Sequence, residues 1–497
     1  MNHVTFYLKP KSLGKQAKTH AKRAPDAAAP GVGLASPAAH NVPSARDFEV
    51  PRQDDARTAQ AVFSFTTDRA KPRGLAASGP RAWARFCRRL RPNGGHAQEG
   101  DLKTKETPAP PRTTGERAAA GDPATVHRRA VAVDMHADTV QFIVDEGADI
   151  NRRLSTTQLD AVRMREGGLD AQFFSIWVEP QFYGRGGERA VARADEQIAA
   201  IRALADEHPE TWTLAATAAD IRRAAADGKL AALMGLEGGY AIDEKLESVG
   251  RYYRLGVRYM SPTWTYSLSW AGSSGDAEGA SLGLNDFGRR VIREMNRLGM
   301  LVDVSHVSDK TFRDMVETST GPVIATHSNC RAIANVARNL TDEMIRAIAK
   351  TGGVVCVVFY PGFVEPGWME LKDALDREIA PQVEEAGRNA EGRGSIKRIA
   401  RDRVREREYA VRLPAVPVAR IVDHVDHIVK LAGVEHVGVG SDFDGIQAVP
   451  ADLSSVAELP NLTAELLRRG YGEQDVEMIL GGNILRVLEE IERGAER

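Results

Sequence analysis

From about residue 128 onward the chain alternates short apolar runs with amphipathic stretches of helical period, the pattern of βα units around a parallel sheet. Eight runs read as strands: 130–134, 171–178, 231–236, 257–260, 301–304, 322–325, 353–359 and 436–440. Between them the helical period is clear: in 286–298, Phe287, Val291, Met295 and Leu298 fall on one face behind an Asn285 cap. A second helix starts from the cap Thr341, carries Asp342 and Glu343 in its first turn, and runs through Lys350 to a stop at Gly352. Eight strands alternating with helices predict an α/β fold, a (β/α)8 TIM barrel spanning 125–497. Residues 370–412 are densely charged and read as a helical insertion on the barrel rim whose charges form a solvated face.

The first 124 residues have a different texture. Rich in Ala, Pro, Arg, Gly and Thr and without sustained apolar periodicity, they cannot bury enough surface to offset the entropy of ordering, so disorder is expected. They hold 21 Lys and Arg against 11 Asp and Glu, an excess of ten positive charges; with a net of −2, the remainder carries an excess of twelve negative ones. Segment 81–91 interleaves arginines with Trp83 and Phe86 as nucleic-acid or membrane binders do, but the reading adopted is a solvated tail, with no nucleic-acid partner. No run of 18 apolar residues exists and no apolar secretion core opens the chain, so neither a membrane anchor nor secretion is expected, and the cytoplasm is the expected compartment. Cys87, Cys330 and Cys356 are odd in number and lack C-x-x-C spacing, which argues against a disulfide framework or a cysteine zinc site.

The chemistry-bearing residues cluster at strand ends. In Val131-Ala-Val-Asp-Met-His136-Ala-Asp138 an apolar run ends in H-x-D; alternation along a strand sends His136 and Asp138 to one side, where one cation can take a nitrogen and an oxygen. Glu237, His306 and His327 follow three further apolar runs, at the C-terminal ends where barrel catalysis occurs. Each alone reads more simply as a satisfied polar group. Three histidines and two carboxylates at matching ends of four strands do not. Gly438-Val-Gly-Ser-Asp442-Phe-Asp444-Gly445 closes the last strand, and its glycines leave room on the side of Asp442, which suits a general base; Asp444 competes for that role. His424 and His427 have metal-motif spacing, but they precede the final strand and are expected to be structural.

In order, D-M-H-A-D, L-E-G-G-Y-A-I-D, L-V-D-V-S-H-V-S, A-T-H-S-N and G-S-D-F-D-G resemble the membrane dipeptidase (renal dipeptidase, peptidase M19) family over roughly residues 128–492, a barrel of the metal-dependent hydrolase type. The resemblance implies two zinc ions, with Mn2+ or Co2+ as substitutes: His136 and Asp138 on one, His306 and His327 on the other, and Glu237 bridging. A hydroxide between cations about 3.5 to 4 Å apart then attacks the carbonyl of a dipeptide, including one with a D-residue at its C-terminal side. It further implies that Asp442 shuttles the proton, that Arg338 holds the substrate's terminal carboxylate, and that Tyr360 lies near that carboxylate.

One departure stands out. Where mammalian members carry a histidine after strand four, this chain has Trp264, whose indole donates but cannot take up a proton. Trp264, Tyr266 and Trp270 are therefore expected to shape an apolar side-chain pocket. The resemblance also brings a secretion signal and lipid anchor that this sequence is expected to lack. The enzymatic alternative is a binuclear amidase acting on N-acyl amino acids or a peptide-like metabolite; a ligand-binding barrel without activity is the non-enzymatic one. A small-molecule substrate is the expected partner, and a homodimer is left open.

Overall fold

A computed structural model describes residues 121–495. Segment 81–91 and Cys87 lie outside the described residues. Nine parallel strands form the sheet: β1 Val133–Ala137, β2 Ala171–Trp177, β3 Trp212–Leu214, β4 Leu230–Glu237, β5 Val257–Ser261, β6 Leu301–Asp303, β7 Val323–Ile324, β8 Val355–Val357 and β9 Val437–Val439. Eight of them run in the order β7-β6-β5-β4-β2-β1-β9-β8. The bridge between Ala325 and Val355, with Ala325 N donating to Val354 O and Cys356 N to Ala325 O, joins the two ends into a barrel. The expected β/α barrel is present. The unexpected element is β3, which pairs with the first half of β4, while β5 pairs with the second half. Its three residues are too few to show a period in sequence.

Strand alternation divides the apolar residues between two sides. Phe173, Leu233, Tyr259, Leu301, Ile324 and Cys356 share one buried cluster with Ile484, Leu485 and Leu488 of the C-terminal helix. Their chain neighbours Phe174, Met234, Met260, Val302, Ala325 and Val355 join the other cluster, with Ile198, Val291, Met295, Ile345 and Ile348 of the surrounding helices. Both helices read from the sequence form with the expected caps: Asn285 accepts from Gly288 N ahead of Asp286–Leu298, and Thr341 accepts from Met344 N ahead of Asp342–Lys350. Each such cap contributes about 1 kcal/mol.

In β1 the pairing with β2 slips by one residue between Asp134 and Ala137. Before the slip, Val133 and Met135 lie in the same cluster as Phe173 and Tyr259; after it, His136 hydrogen-bonds the Tyr259 hydroxyl. A bulge re-aims a strand in this way, and here it turns His136 toward the barrel's centre. The charged stretch forms two helices, Trp368–Asn389 and Gly394–Arg412, tied together by Arg401 to Glu384, Arg412 to Glu378 and the Tyr409 hydroxyl to Asp376.

Candidate metal centre

Glu237, the last residue of β4, is the hub of the site. Its Oε1 lies 2.9 Å from His306 Nε2 and 3.5 Å from His327 Nε2, and its Oε2 lies 3.4 Å from His136 Nε2. His306 Nε2 and His327 Nε2 are themselves 2.9 Å apart, and the His136 and His327 rings stack at 3.8 Å. Asp138 Oδ2 is 3.7 Å from His136 Nε2. Donor atoms of His136, Glu237 and His327 lie within 4.8 Å of one another, as do those of His136, Asp138 and Asp442. Five side chains from four strand ends therefore converge, and Asp442 joins them.

The surroundings orient these groups. His327 Nδ1 is 2.9 Å from the Thr326 hydroxyl, which donates to Asp303 Oδ2 at 2.8 Å. With that hydroxyl hydrogen committed, His327 carries its proton on Nδ1 and turns the Nε2 lone pair toward Glu237. Asp303 Oδ1 also accepts from Ser305 N and Thr326 N, fixing the chain after β6 and after β7 together. On the other side, Asp134 Oδ1 accepts from Ser441 N, Asp442 N donates to His136 O, and Asp138 N donates to Phe443 O. These bonds clip the end of β1 to the chain leaving β9, so that Asp138 and Asp442 face each other.

Backbone conformation points the same way. Among the described residues five non-glycines have positive φ, and three of them are His306 (70°), Asp442 (65°) and Asp444 (66°). Left-handed backbone costs about 1–3 kcal/mol per residue and tends to be retained at functional sites. Gly445 lies so close that a Cβ there would sit 2.2 Å from Asp138 Oδ2 and 2.6 Å from Asp442 Oδ1. The glycines before Asp442 act otherwise than expected: a Cβ on Gly440 would meet Thr326 O at 1.8 Å, and one on Gly438 would meet Cys356 Sγ at 2.9 Å. They admit neighbouring strands and leave no room for Asp442.

Burial and crowding of like charge set the electrostatics. Burial raises the Asp442 carboxyl well above its usual range, with Asp138 and Glu237 adding to the rise. Burial would also raise Glu237, but the positive charge of His136 beside it holds it well below. His306 is pushed down to about 4 by burial and by Arg338, and His327 well down by burial, His136 and Arg338, so both imidazoles are neutral and able to ligate. His136 Nε2 and Asp138 Oδ1 are buried without a hydrogen-bond partner among the described residues. Buried nitrogen and oxygen atoms without hydrogen-bond partners, beside neighbouring carboxylates, fit divalent cations such as zinc, manganese or cobalt.

A family profile described as membrane dipeptidase (peptidase family M19) matches residues 122–497. The chain belongs to this family. Over 345 residues it is 33% identical to dipeptidase 3 of Rattus norvegicus, a match covering 69% of this chain and 59% of the rat protein's length. Among solved structures it is similar to the probable dipeptidase PvdM of Pseudomonas aeruginosa, with TM-score 0.64 and 26% identity over 75% of this chain and 98% of the other. It is also similar to a metallopeptidase of Rhodobacter sphaeroides liganded with a phosphinate mimic of the dipeptide L-Ala-D-Ala, with TM-score 0.58 and 25% identity over 73% of this chain and 99% of the other.

In this membrane dipeptidase family chain a cavity of about 380 Å³ opens onto the cluster, lined by Asp138, Glu237, His306, Asp442, Trp264 and Tyr360 among others. Arg338 is largely buried beside it, donating to His327 O and Ser328 Oγ, with its Nε unpartnered and its guanidinium 5.7 Å from the centre of the Phe363 ring. Burial pulls it down to about 10, which leaves it cationic at neutral pH. Trp264 meets Trp177 edge-on at 4.7 Å. Of its expected companions, Tyr266 packs beneath Arg185, and Trp270 is buried against Phe287 away from the cavity lining. His424 binds Cys330 N and Val364 O, and His427 binds Asp342; both are structural, as expected.

Sequence reasoning missed Asp134, Tyr259, Asp303 and Thr326, which orient the cluster, and Trp177, Arg398, Asp402 and Arg405, which line the cavity. A charged residue inside an apolar strand was a usable signal for Asp134 and Asp303. The last three overturn the reading of the insertion as a solvated face alone. Arg398, Asp402 and Arg405 follow one another at i, i+4 and i+7 and face the cavity, because the helix is folded onto the rim.

Proposed function

We propose that the chain is a metallo-dipeptidase that hydrolyses dipeptides, including those with a D-residue on the C-terminal side, using two zinc ions. The observation that carries this reading is Glu237 placed between two ligand groups, one oxygen toward His306 and His327 and the other toward His136. His136 and Asp138 would hold one cation, His306 and His327 the second, with Glu237 shared between them. When bound, such a pair supplies Lewis-acid polarisation of the scissile carbonyl and lowers the pKa of the attacking water.

The side chains do the rest. Asp442 takes a proton from the water as the carbon–oxygen bond forms and returns it to the amine as the carbon–nitrogen bond breaks. Arg338 supplies a cationic guanidinium for the substrate's terminal carboxylate; a free carboxylate one residue from the scissile bond selects dipeptides over longer chains. Tyr360 and Phe363 flank that end, and Trp177 and Trp264 screen the other from water. The dipeptide mimic bound by the Rhodobacter sphaeroides relative supports the D-residue element.

The test is hydrolysis of L-Ala-L-Ala and L-Ala-D-Ala by the purified chain before chelation, after it, and after zinc is restored. Both are expected to be cleaved, with activity lost on chelation and regained with zinc. Turnover of N-acetyl-alanine in preference to either dipeptide would overturn the assignment in favour of an amidase.

A further inference from the structure

The insertion helix brings two arginines to the cavity wall where one carboxylate serves both. Asp402 accepts from Arg398 Nη1 at 3.0 Å through Oδ2 and from Arg405 Nη1 at 2.8 Å through Oδ1. Two further carboxylates within 4 Å of them are already engaged. Glu179, 3.8 Å from Arg398 Nε, is paired with the buried Arg193. Asp376, 3.9 Å from Arg405 Nε, is bound by Lys372 Nζ at 2.7 Å and by the Tyr409 hydroxyl. Arg398 Nε is buried without a hydrogen-bond partner among the described residues, and Arg398 is held over the Trp177 ring, its guanidinium carbon 5.1 Å from the ring centre. This wall therefore carries one more guanidinium than hydrogen-bonded carboxylates.

The base of the cavity is acidic through Asp138, Glu237, Asp442 and Asp444, charge that cations offset under the proposed function. The insertion-wall arginines belong to a different element from that cluster and from Arg338, which is tied to the loop after β7. Resting on the dipeptidase reading, we infer that Arg398 and Arg405 form a subsite for a negatively charged side chain, making this a dipeptidase selective for acidic dipeptides. A guanidinium already positioned by packing and by Asp402 loses little freedom when it meets a second carboxylate, and the planar fork leaves N–H groups directed away from the first. Arg398 is fixed by Trp177, whereas the Arg405 side chain is 30% exposed, which makes Arg405 the arm that adjusts to the substrate.

The test uses the zinc-supplied full chain and two isosteric substrate pairs, Glu-Ala with Gln-Ala and Ala-Glu with Ala-Gln, with Ala-Ala as reference. In at least one pair kcat/KM for the Glu member is expected to exceed that of the Gln member by about tenfold, the scale of one charge-assisted hydrogen bond. Arg405→Met is expected to bring that ratio down to about twofold or less, and Asp402→Asn, which releases both arginines, to raise it above wild type. A purely structural role predicts equal losses on both members of a pair. If Ala-Ala is cleaved while Glu and Gln substrates are used equally, the subsite is refuted and the dipeptidase reading stands. If no dipeptide is cleaved, both fall.

Discussion

Thr326→Val isolates how the protein holds His327. Valine keeps the β-branched shape and deletes only the hydroxyl that links His327 Nδ1, at 2.9 Å, to Asp303 Oδ2, at 2.8 Å. Two consequences follow from the geometry. Asp303 is fully buried, and its Oδ2 loses the only donor it has among the described residues, which costs about 1–3 kcal/mol of fold stability. The imidazole also loses the partner that fixes its tautomer, and outer groups of this kind are typically worth 10–100-fold in metal affinity, about 1.4–2.7 kcal/mol. Competition with a chromophoric chelator should show one of two zinc ions released about 10–100 times more readily, the other changing far less because Thr326 does not touch His136 or Asp138. Circular dichroism on the same sample checks that the barrel is intact. A folded variant holding both ions as tightly as wild type would refute the idea that the Asp303–Thr326 pair orients a ligand.

Other expectations follow from single observations. Asp442→Asn should lower kcat by about 10²–10⁴ while metal content stays at wild-type level; a loss of metal instead would make Asp442 a ligand. Gly440→Ala places a Cβ 1.8 Å from Thr326 O, a backbone clash that should cost at least 1–3 kcal/mol in urea unfolding, and an unchanged midpoint would contradict the close approach. Burial pushes Asp170 up to about 6, against a hydrogen bond from Ala132 N that lowers it. Since this exceeds its unfolded value of 3.8, the folded state binds the proton more tightly, and stability falls as pH rises from about 4 to about 6, then levels off. Asp170→Asn should therefore stabilise the chain by about 1–3 kcal/mol at pH 7.5 and have little effect at pH 4; equal effects at both would refute the shift.

What could be read from sequence and what could not divides along physical lines. The barrel was legible because eight short apolar runs alternate with amphipathic stretches of helical period, and the helix caps at Asn285 and Thr341 are local chemistry. The five cluster residues were legible because strand ends in a barrel meet at one face, so placing each residue at a strand end was enough. Their supports were not, since Thr326 matters only through Asp303, which lies one strand away, and Tyr259 only through His136, across β2 and β4. The β1 register slip was also invisible, so the first strand was read three residues early, ahead of His136. Gly440 was read as room for a side chain, because a sequence shows that a Cβ is missing but not which neighbour requires its absence. Arg398, Asp402 and Arg405 share a spacing that fits a solvated helix face equally well, and only the fold of the insertion decides between the two.

The central claim is that Glu237 is shared by two cation sites. Plasma mass spectrometry of the purified chain should give two divalent metal ions per polypeptide, and Glu237→Gln, which keeps the shape but removes the charge, should lower that number while the protein stays folded. A chain with no bound metal that hydrolyses dipeptides unaided, or a Glu237→Gln variant that retains both ions at wild-type affinity, would contradict it.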